Sequence, residues 1–200
     1  MKIQTISFLQ SATSLKDCPK SDLPEFAFIG RSNVGKSSLI NCLTNQRGLA
    51  RVSKTPGRTR EINFFSLNGQ WTLVDLPGFG FAKVSRKEQE QFNEFVSDYL
   101  LNRPNLRGVL LLLDSRHPPQ NIDLEFVAWL VESQLPFVLV FTKIDKSKAR
   151  VVEKHRALFL QEMKAFSEGE PVTFLTSSTT GQGRGEIHTF VRRALEAGGA

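Results

Sequence analysis

The chain has 200 residues, of which 40% are hydrophobic and 23% are charged. This length and composition suit one globular domain with a sizeable core and argue against a chain that is disordered throughout. The strongest apolar runs, residues 109–113 and 137–141, are too short to span a bilayer. Residues 1–8 lack the unbroken apolar core of an export signal, and Cys18 and Cys42 lack the spacing of a disulfide framework or zinc site. We therefore expect a cytoplasmic protein without membrane insertion.

The formal net charge is +6 at pH 7. A positive chain attracts polyanions such as RNA through phosphate contacts that weaken as salt rises. Charge alone identifies no partner, and the three histidines have no metal-ligand spacing.

Apolar runs and amphipathic stretches alternate along the chain in the order typical of an α/β protein. The expected strands are residues 3–9, 26–29, 61–67, 70–75, 109–113, 137–141 and 172–175. The expected helices are residues 38–43, 85–101, 121–131, 146–166 and 185–197. Asn68-Gly69 is a strong hairpin signal, so the strands that it joins should be antiparallel. The pattern predicts a mostly parallel sheet with helices on both faces and one antiparallel strand at an edge.

A phosphate-binding loop stands out between the second strand and the first helix. The sequence Gly30-Arg31-Ser32-Asn33-Val34-Gly35-Lys36-Ser37 fits GxxxxGKS at every fixed position. In such a loop the backbone N–H groups and the helix N-terminus surround a polyphosphate, the lysine reaches the β- and γ-phosphates, and the hydroxyl binds Mg²⁺. The strand–loop–helix context makes a ligand-free glycine turn the weaker interpretation. The motif predicts binding of a nucleoside triphosphate.

A second motif, Asp75-Leu76-Pro77-Gly78, follows the fourth strand. A carboxylate there can hold the Mg²⁺ shell through water, and the backbone N–H of Gly78 can meet a γ-phosphate. Loss of that phosphate would release the following loop, so this segment is expected to act as a switch. A β-turn after a strand would use the same residue types, but the P-loop favours the functional interpretation.

Two later segments are candidates for recognition of the base. In Thr142-Lys143-Ile144-Asp145 the carboxylate can accept hydrogen bonds from N1–H and the 2-amino group of guanine, while the stem of Lys143 packs over the base. Thr176-Ser177-Ser178 can add backbone and hydroxyl contacts. Either segment alone resembles an ordinary polar loop, but their order behind a P-loop favours guanine over adenine.

The stretch 45–60 is rich in turn-forming residues and carries five cations and no acid. It also contains Thr55 and Thr59, either of which can complete a Mg²⁺ shell and sense the γ-phosphate. Thr59 stands just before the next strand and is better placed, although the residues alone do not exclude Thr55.

The series GRSNVGKS, KTPGRTR, DLPGFG, TKID and TSS resembles a GTPase domain of the translational class. Specifically, it resembles the EngB (YihA/YsxC) family of bacterial GTPases in the TrmE-Era-EngA-EngB-Septin-like superfamily, over essentially the whole chain. The resemblance implies a Ras-like fold with a six-stranded sheet, a role in assembling the large ribosomal subunit, and a link to cell division and septation. It also implies an N-terminal extension (1–24) packed on a GTPase domain (25–197). The small residues 198–200 are expected to form a disordered tail.

The resemblance places Thr59 as a magnesium ligand beside Ser37 and suggests a potassium ion near Asn33, where an asparagine that only stabilises the loop is the alternative. Catalysis is expected to depend on Lys36, Thr59 and Gly78, and Mg²⁺ on Ser37, Thr59 and Asp75. The residues expected at the nucleotide are Gly30, Arg31, Ser32, Asn33, Val34, Gly35, Lys36, Ser37, Ser38, Gly57, Arg58, Thr59, Asp75, Leu76, Pro77, Gly78, Thr142, Lys143, Ile144, Asp145, Thr176, Ser177 and Ser178.

One position departs from many small GTPases, in which a glutamine after DxxG orients the attacking water. Here that position is Phe79, which cannot orient water. We therefore expect slow intrinsic hydrolysis, about 10⁻⁴ to 10⁻³ per second, that is stimulated by a partner or by potassium. No internal arginine finger can be named, since Arg31 and Arg58 are candidates only by sequence proximity.

The leading interpretation is a monomeric GTP-hydrolysing switch that docks on a large-subunit precursor and its rRNA. Its contact would be a basic switch face formed by the cations of residues 45–60 with Lys83, Arg86 and Lys87. The first alternative is a GTP-dependent structural or division-associated protein that acts by self-association. A metabolic P-loop kinase is the second, and the segment 142–145 argues against it.

Overall fold

The computed structural model describes residues 2–46, 48–50, 61–79 and 86–198, with backbone only for residues 86–93. The strands are β1 Ile6–Ala12, β2 Glu25–Gly30, β3 Ile62–Leu67, β4 Trp71–Asp75, β5 Leu106–Asp114, β6 Phe137–Thr142 and β7 Thr173–Leu175. The helices are α1 Lys36–Thr44, α2 Arg86–Asn102, α3 Asn121–Glu132, α4 Ala149–Met163 and α5 Arg184–Ala197. Short 3₁₀ helices cover Leu15–Asp17 and Ile144–Lys146. None of the helices in these described ranges is both long and apolar enough to cross a membrane.

The strands form one sheet in the order β1-β3-β4-β2-β5-β6-β7, which confirms the mostly parallel α/β class. Strands β4, β2, β5, β6 and β7 are parallel, and β3 is antiparallel to both β4 and β1. Among the described residues the sheet thus has seven strands, rather than the six expected from the resemblance. The antiparallel strand is not at the edge, because β1 pairs along its outer side and becomes the edge strand.

The first strand begins three residues later than expected, at Ile6 instead of residue 3. The side chain of Asn68, in the β3–β4 turn, explains the shift. Its Oδ1 accepts hydrogen bonds from the N–H groups of Gln4 (2.7 Å) and Thr5 (3.1 Å), and its amide donates to Lys2 O at 2.9 Å. Asn68 N also donates to Thr5 O at 2.9 Å, so the segment before β1 bonds to this turn residue rather than to the β3 ladder.

The fourth helix is shorter than the expected 146–166 because two backbone conformations interrupt its start. Lys143 has φ 59°, in the left-handed region, and begins the 3₁₀ turn Ile144–Lys146. Ser147 is extended and ends that turn, so α4 begins only at Ala149. Polar residues after β6 thus form a separate turn at the end of the strand.

The alternation of side chains along β2 divides the core between the two faces of the sheet. Ala27 and Ile29 pack in one buried cluster with residues of α2, α3 and α4. Phe26 and Phe28 pack in the other with residues of α1 and α5. All four side chains are fully buried, as expected for a central parallel strand covered on both faces.

A buried polar cluster links the amino-terminal end of β2 to α2. Glu25 is fully buried, and its carboxylate accepts bonds from Arg103 Nη2 at 2.6 Å and Nε at 2.9 Å and from Tyr99 Oη at 2.7 Å. Arg103 also donates to Pro19 O at 2.7 Å. The cluster anchors the N-terminal segment and α2 far from the carboxyl ends of the strands.

Candidate functional site

The predicted site residues that the structure describes lie along the carboxyl edge of the parallel strands. There β2 ends at Gly30, β4 at Asp75, β5 at Asp114, β6 at Thr142 and β7 at Leu175. Ligands of open α/β sheets bind outside these strand ends, where loops lead into helices. Motifs that are far apart in the sequence therefore meet at one edge.

The phosphate-binding loop has the backbone that its glycines predict. Gly35 has φ 105° and Asn33 has φ 63°, so both lie in the left-handed region. A Cβ on Gly30 would lie 2.6 Å from Leu112 O, so β2 and β5 leave no room for a side chain there. The α1 helix begins directly after Gly35, and Ser37 and Ser38 lie in its first turn. Backbone N–H groups of a helix N-terminus and of left-handed residues bind anions well.

Lys36 and Asp75 are in direct contact, although they belong to different motifs. Lys36 Nζ donates to Asp75 Oδ1, and about nine-tenths of each side chain is buried. The first two motifs therefore converge on one charged pair in a little-hydrated environment.

The segment after Asp75 continues beside the P-loop as if β4 were extended. Leu76 N donates to Phe28 O at 3.0 Å, and Phe79 N donates to Gly30 O at 3.2 Å. In return, Ser32 N donates to Phe79 O at 3.1 Å. A Cβ on Gly78 would lie 3.0 Å from Gly30 O, so only glycine fits this approach without displacement. The two phosphate motifs are joined by main-chain hydrogen bonds.

Lys143 connects the base motif to the P-loop. Its Nζ donates to Asn33 O at 2.5 Å and to Asp114 Oδ2 at 2.9 Å. Its stem passes Gly35, since a Cβ there would lie 3.4 Å from Lys143 Cε. Thr142 is buried, and its hydroxyl lies 2.6 Å from Val34 O. A movement of either motif would therefore disturb the other.

Asp145 and Ser177 bring the two predicted base segments together. The hydrogen bond from Ser177 is the main cause that lowers the pKa of Asp145, and Lys146 acts in the same direction. Ile144 N also donates to Thr176 O at 3.2 Å, and Ser178 follows in the same loop. The carboxylate is thus held ionised and acceptor-only, as recognition of the N1–H and 2-amino donors of guanine requires.

Asp114 was not among the predicted site residues. Burial alone would raise its pKa, but hydrogen bonds from Arg116 and Lys143 outweigh burial and lower the pKa far below its usual range. The bonds from Arg116 Nε and Nη2 are 2.9 Å and 2.7 Å long. An acid at a strand end beside a P-loop was the available sequence signal, but its partner Lys143 is distant in the sequence.

The side chain of Arg31 extends toward α3. Its Nη1 lies 3.7 Å from Oδ2 of Asp123 in that helix, and both residues line a cavity of about 270 Å³ that the P-loop also lines. Asp123 is 6% exposed, and none of the described residues forms a hydrogen bond with its Oδ1. Burial raises the pKa of Asp123 to about 6, although the charge of Arg31 acts in the opposite direction. The side chain of Arg31 is thus directed at α3.

The predicted residues of the first switch, Gly57, Arg58 and Thr59, lie outside the described residues, as do Thr55 and all five cations of residues 45–60. Lys83 also lies outside them, and Arg86 and Lys87 are described by backbone only. The described residues therefore bring together the P-loop, residues 75–78, residues 142–145 and residues 176–178.

The strand order, the P-loop and the convergence of a base-recognition motif define a P-loop GTPase domain. A family model described as 50S ribosome-binding GTPase matches residues 25–143. A protein from Flavobacterium johnsoniae named "Probable GTP-binding protein EngB" is 47% identical over 192 residues, which are 96% of this chain and 91% of that protein. One of the same name from Bacteroides fragilis is 47% identical over 191 residues, covering 96% of this chain and 95% of the relative.

Solved structures agree with these relatives. The crystal structure of a probable GTP-binding protein EngB superposes with a TM-score of 0.70 at 27% identity, covering 86% of this chain and 99% of that one. A variant of Aquifex aeolicus Era bound to GDP·AlF₄⁻ has a TM-score of 0.65 at 20% identity over 87% of this chain and 56% of its own, and shows the shared fold. The chain belongs to the EngB family of GTP-binding proteins, and it is a GTPase.

Proposed function

We propose that this GTPase is a nucleotide-controlled switch that assembles the large ribosomal subunit in the cytoplasm and is needed for normal cell division and septation. The observation that carries the ribosomal assignment is the match of residues 25–143 to a family described as 50S ribosome-binding GTPases. The net charge of +6 supports a partner rich in phosphate.

In this proposal the residues Gly30 to Ser38 surround the phosphates. The backbone N–H groups of the left-handed stretch donate to the oxygens, and Lys36 leaves Asp75 to meet the β- and γ-phosphates. Gly78 then offers its N–H to the γ-phosphate from its position beside Gly30. Loss of that phosphate would be transmitted to residues 75–78 through Phe79, whose N–H and carbonyl are both hydrogen-bonded to the P-loop.

Asp145 would select guanine, with Lys143 against the base and Thr176, Ser177 and Ser178 closing the loop. Ser177 supports this role because its bond to Asp145 fixes the carboxylate. Thr142 and Ile144 hold the loop through their bonds to Val34 O and Thr176 O.

The hydroxyl of Ser37 and the carboxylate of Asp75 are hard oxygen donors, so these side chains fit Mg²⁺. Within the described ranges no group of three or more His, Cys, Asp or Glu could hold a metal by itself, so such a site would be completed by phosphate oxygens, water and Thr59. Mg²⁺ neutralises charge on the β- and γ-phosphates during phosphoryl transfer. With nucleotide and Mg²⁺ bound, Lys36 would turn from Asp75 to the phosphates, and Asp75 would help to hold the metal.

We propose slow intrinsic hydrolysis that a partner or a potassium ion near Asn33 accelerates. The exposed Asn33 side chain carries an amide oxygen that could bind a cation there, although the Asn33 carbonyl is bonded to Lys143. Faster hydrolysis in KCl than in NaCl at equal ionic strength, with the difference lost in Asn33→Ala, would support it. Equal rates in both salts would contradict it.

The ribosomal contact is proposed to use the basic switch face of a monomer, with Arg86 and Lys87 in the first turn of α2. The test is co-sedimentation of purified protein with large-subunit precursors in GTP analogue, GDP and no nucleotide. We expect retention that is strongest with the GTP analogue and weaker for Arg86→Glu/Lys87→Glu at unchanged GTP affinity. Nucleotide-dependent polymerisation without retention would replace the proposal by the self-associating alternative.

A further inference from the structure

The amino-terminal part of α4 carries an exposed set of cations outside the switch segments. Lys148 precedes the helix, and Arg150 and Lys154 lie one turn apart on its outer side; we call these three residues the α4 cationic face. All three are exposed, and Val151 between them is 36% exposed. The face thus consists of three long cationic side chains around one apolar side chain.

The cations of this face lie where the local electrostatic potential disfavours positive charge. A helix N-terminus carries positive potential and favours acids, yet α4 has no acidic residue in its first turn and instead has cations there. Arg150 and Lys154 are also like charges at i and i+4, which repel one another. Both features make the isolated helix less stable, and an external anion would relieve both.

The neighbouring carboxylates are already engaged. Glu153 accepts two bonds from Arg156, from Nη2 at 2.7 Å and Nε at 3.1 Å. Asp145 is bonded to Ser177 and lies 3.0 Å from Lys146 Nζ. Within the described part of the chain, no acid forms an ion pair with a member of the α4 cationic face. Its charge therefore remains available to a partner.

We propose that the α4 cationic face binds the phosphate backbone of structured RNA. Side chains one helical turn apart can follow a row of phosphates, and such contacts position an RNA without reading its sequence. The helix offers no exposed aromatic ring on which an unpaired base could stack, since Phe159 is buried. The identification of this RNA as ribosomal rests on the proposed function. Unlike the basic switch face, the α4 cationic face lies on a helix after β6, so its RNA binding does not depend on the bound nucleotide.

The test compares two triple variants that lower the net charge equally. Lys148→Gln/Arg150→Gln/Lys154→Gln removes the face, and Lys16→Gln/Lys20→Gln/Arg193→Gln removes three cations elsewhere. Lys146 is left unchanged because it contacts Asp145. Each protein is titrated with a short RNA duplex of arbitrary sequence between 50 and 200 mM salt, in GDP and in GTP analogue. Retained GDP binding shows that each variant is folded.

The wild type should lose about forty-fold more affinity over this salt range than the face variant, because about three phosphate contacts disappear from the salt slope. The control variant should follow the wild type in both nucleotides. Equal slopes for the two variants would overturn the proposal, and so would polyglutamate binding with the same affinity and slope as RNA. If the face variant loses duplex binding but wild type is not retained by large-subunit precursors, the α4 cationic face stands and the proposed ribosomal function falls.

Discussion

The ring of Phe79 stacks on the ring of Phe126 in α3, with centroids 4.8 Å apart and planes inclined by 18°. Phe79 is buried, and its main chain is bonded to Gly30 and Ser32 on either side. The residue that stands where many GTPases have their water-orienting glutamine is therefore held against a helix. This contact supports the proposal of slow intrinsic hydrolysis, because both the position and the apolar chemistry of the side chain are unsuited to orienting water.

Phe79→Gln should consequently not accelerate GTP hydrolysis. The glutamine side chain would project toward α3, as the phenylalanine ring does. Loss of the stacked ring pair would lower the free energy of unfolding by about 0.5–1.5 kcal/mol beyond the effect of lost burial. Single-turnover hydrolysis of bound GTP measures the rate, with Phe126→Leu as the matched loss of stacking. A rise of about a hundredfold or more in Phe79→Gln would show that the side chain reaches the attacking water.

Asp123→Asn should stabilise the protein at neutral pH. The folded pKa of about 6 lies above the ordinary 3.8, so the fold favours the neutral carboxyl. The stability that the wild type gains from this group is therefore fully present below pH 3.8 and is lost as the pH rises toward 6, by about 3 kcal/mol from the two pKa values. Urea unfolding at pH 4 and pH 7.5 should show the variant's advantage only at the higher pH.

Glu125, exposed on the same helix, provides the control for this effect. Glu125→Gln should leave the pH dependence of unfolding unchanged. An Asp123→Asn variant that is less stable than wild type at pH 7.5 would instead mean that the ion pair with Arg31 outweighs the burial of the carboxylate.

Loss of Glu25 should destabilise the domain far from the nucleotide site. Glu25→Ala leaves Arg103 buried and unpaired and is expected to cost about 3–5 kcal/mol. Tyr99→Phe removes one hydrogen bond to Glu25 and should cost about 1–2 kcal/mol. Urea midpoints give both values, and Glu153→Ala in the exposed Arg156 pair, at less than about 1 kcal/mol, is the comparison. Similar losses in Glu25→Ala and Glu153→Ala would contradict a structural role for the buried cluster.

The order of strands and helices and the position of the phosphate and base motifs were predictable because they depend on local signals. Apolar runs give the strands, and Gly30 and Gly35 are required by close approach and positive φ at their own positions. The placement of β1 beside β3 was not predictable from such signals, because a strand's neighbour is chosen by long-range pairing. The hydrogen bonds between Asn68 and the residues before β1 are also long-range contacts, so they were not predictable either.

The side-chain pairs of the site were beyond sequence reasoning for a related reason. Arg31 meets Asp123, and Phe79 meets Phe126, only because α3 packs beside the P-loop and the end of β4. The residue types did not indicate these contacts. An acid in the first turn of a helix, such as Asp123, usually interacts favourably with the helix dipole. Proximity in the sequence made Arg31 a candidate for the phosphates, whereas the fold turns its side chain toward α3.

We propose that Asp145 recognises guanine at a site formed by four segments of the chain. Competition of GDP, ADP and xanthosine diphosphate against labelled GDP, for wild type and Asp145→Asn, measures this recognition. The wild type should prefer GDP, whereas the variant should lose GDP and gain the xanthine nucleotide, because an amide can donate to the 2-oxo group that replaces the 2-amino group. Equal competition by ADP in the wild type, or unchanged GDP affinity in Asp145→Asn, would show that Asp145 does not select the base.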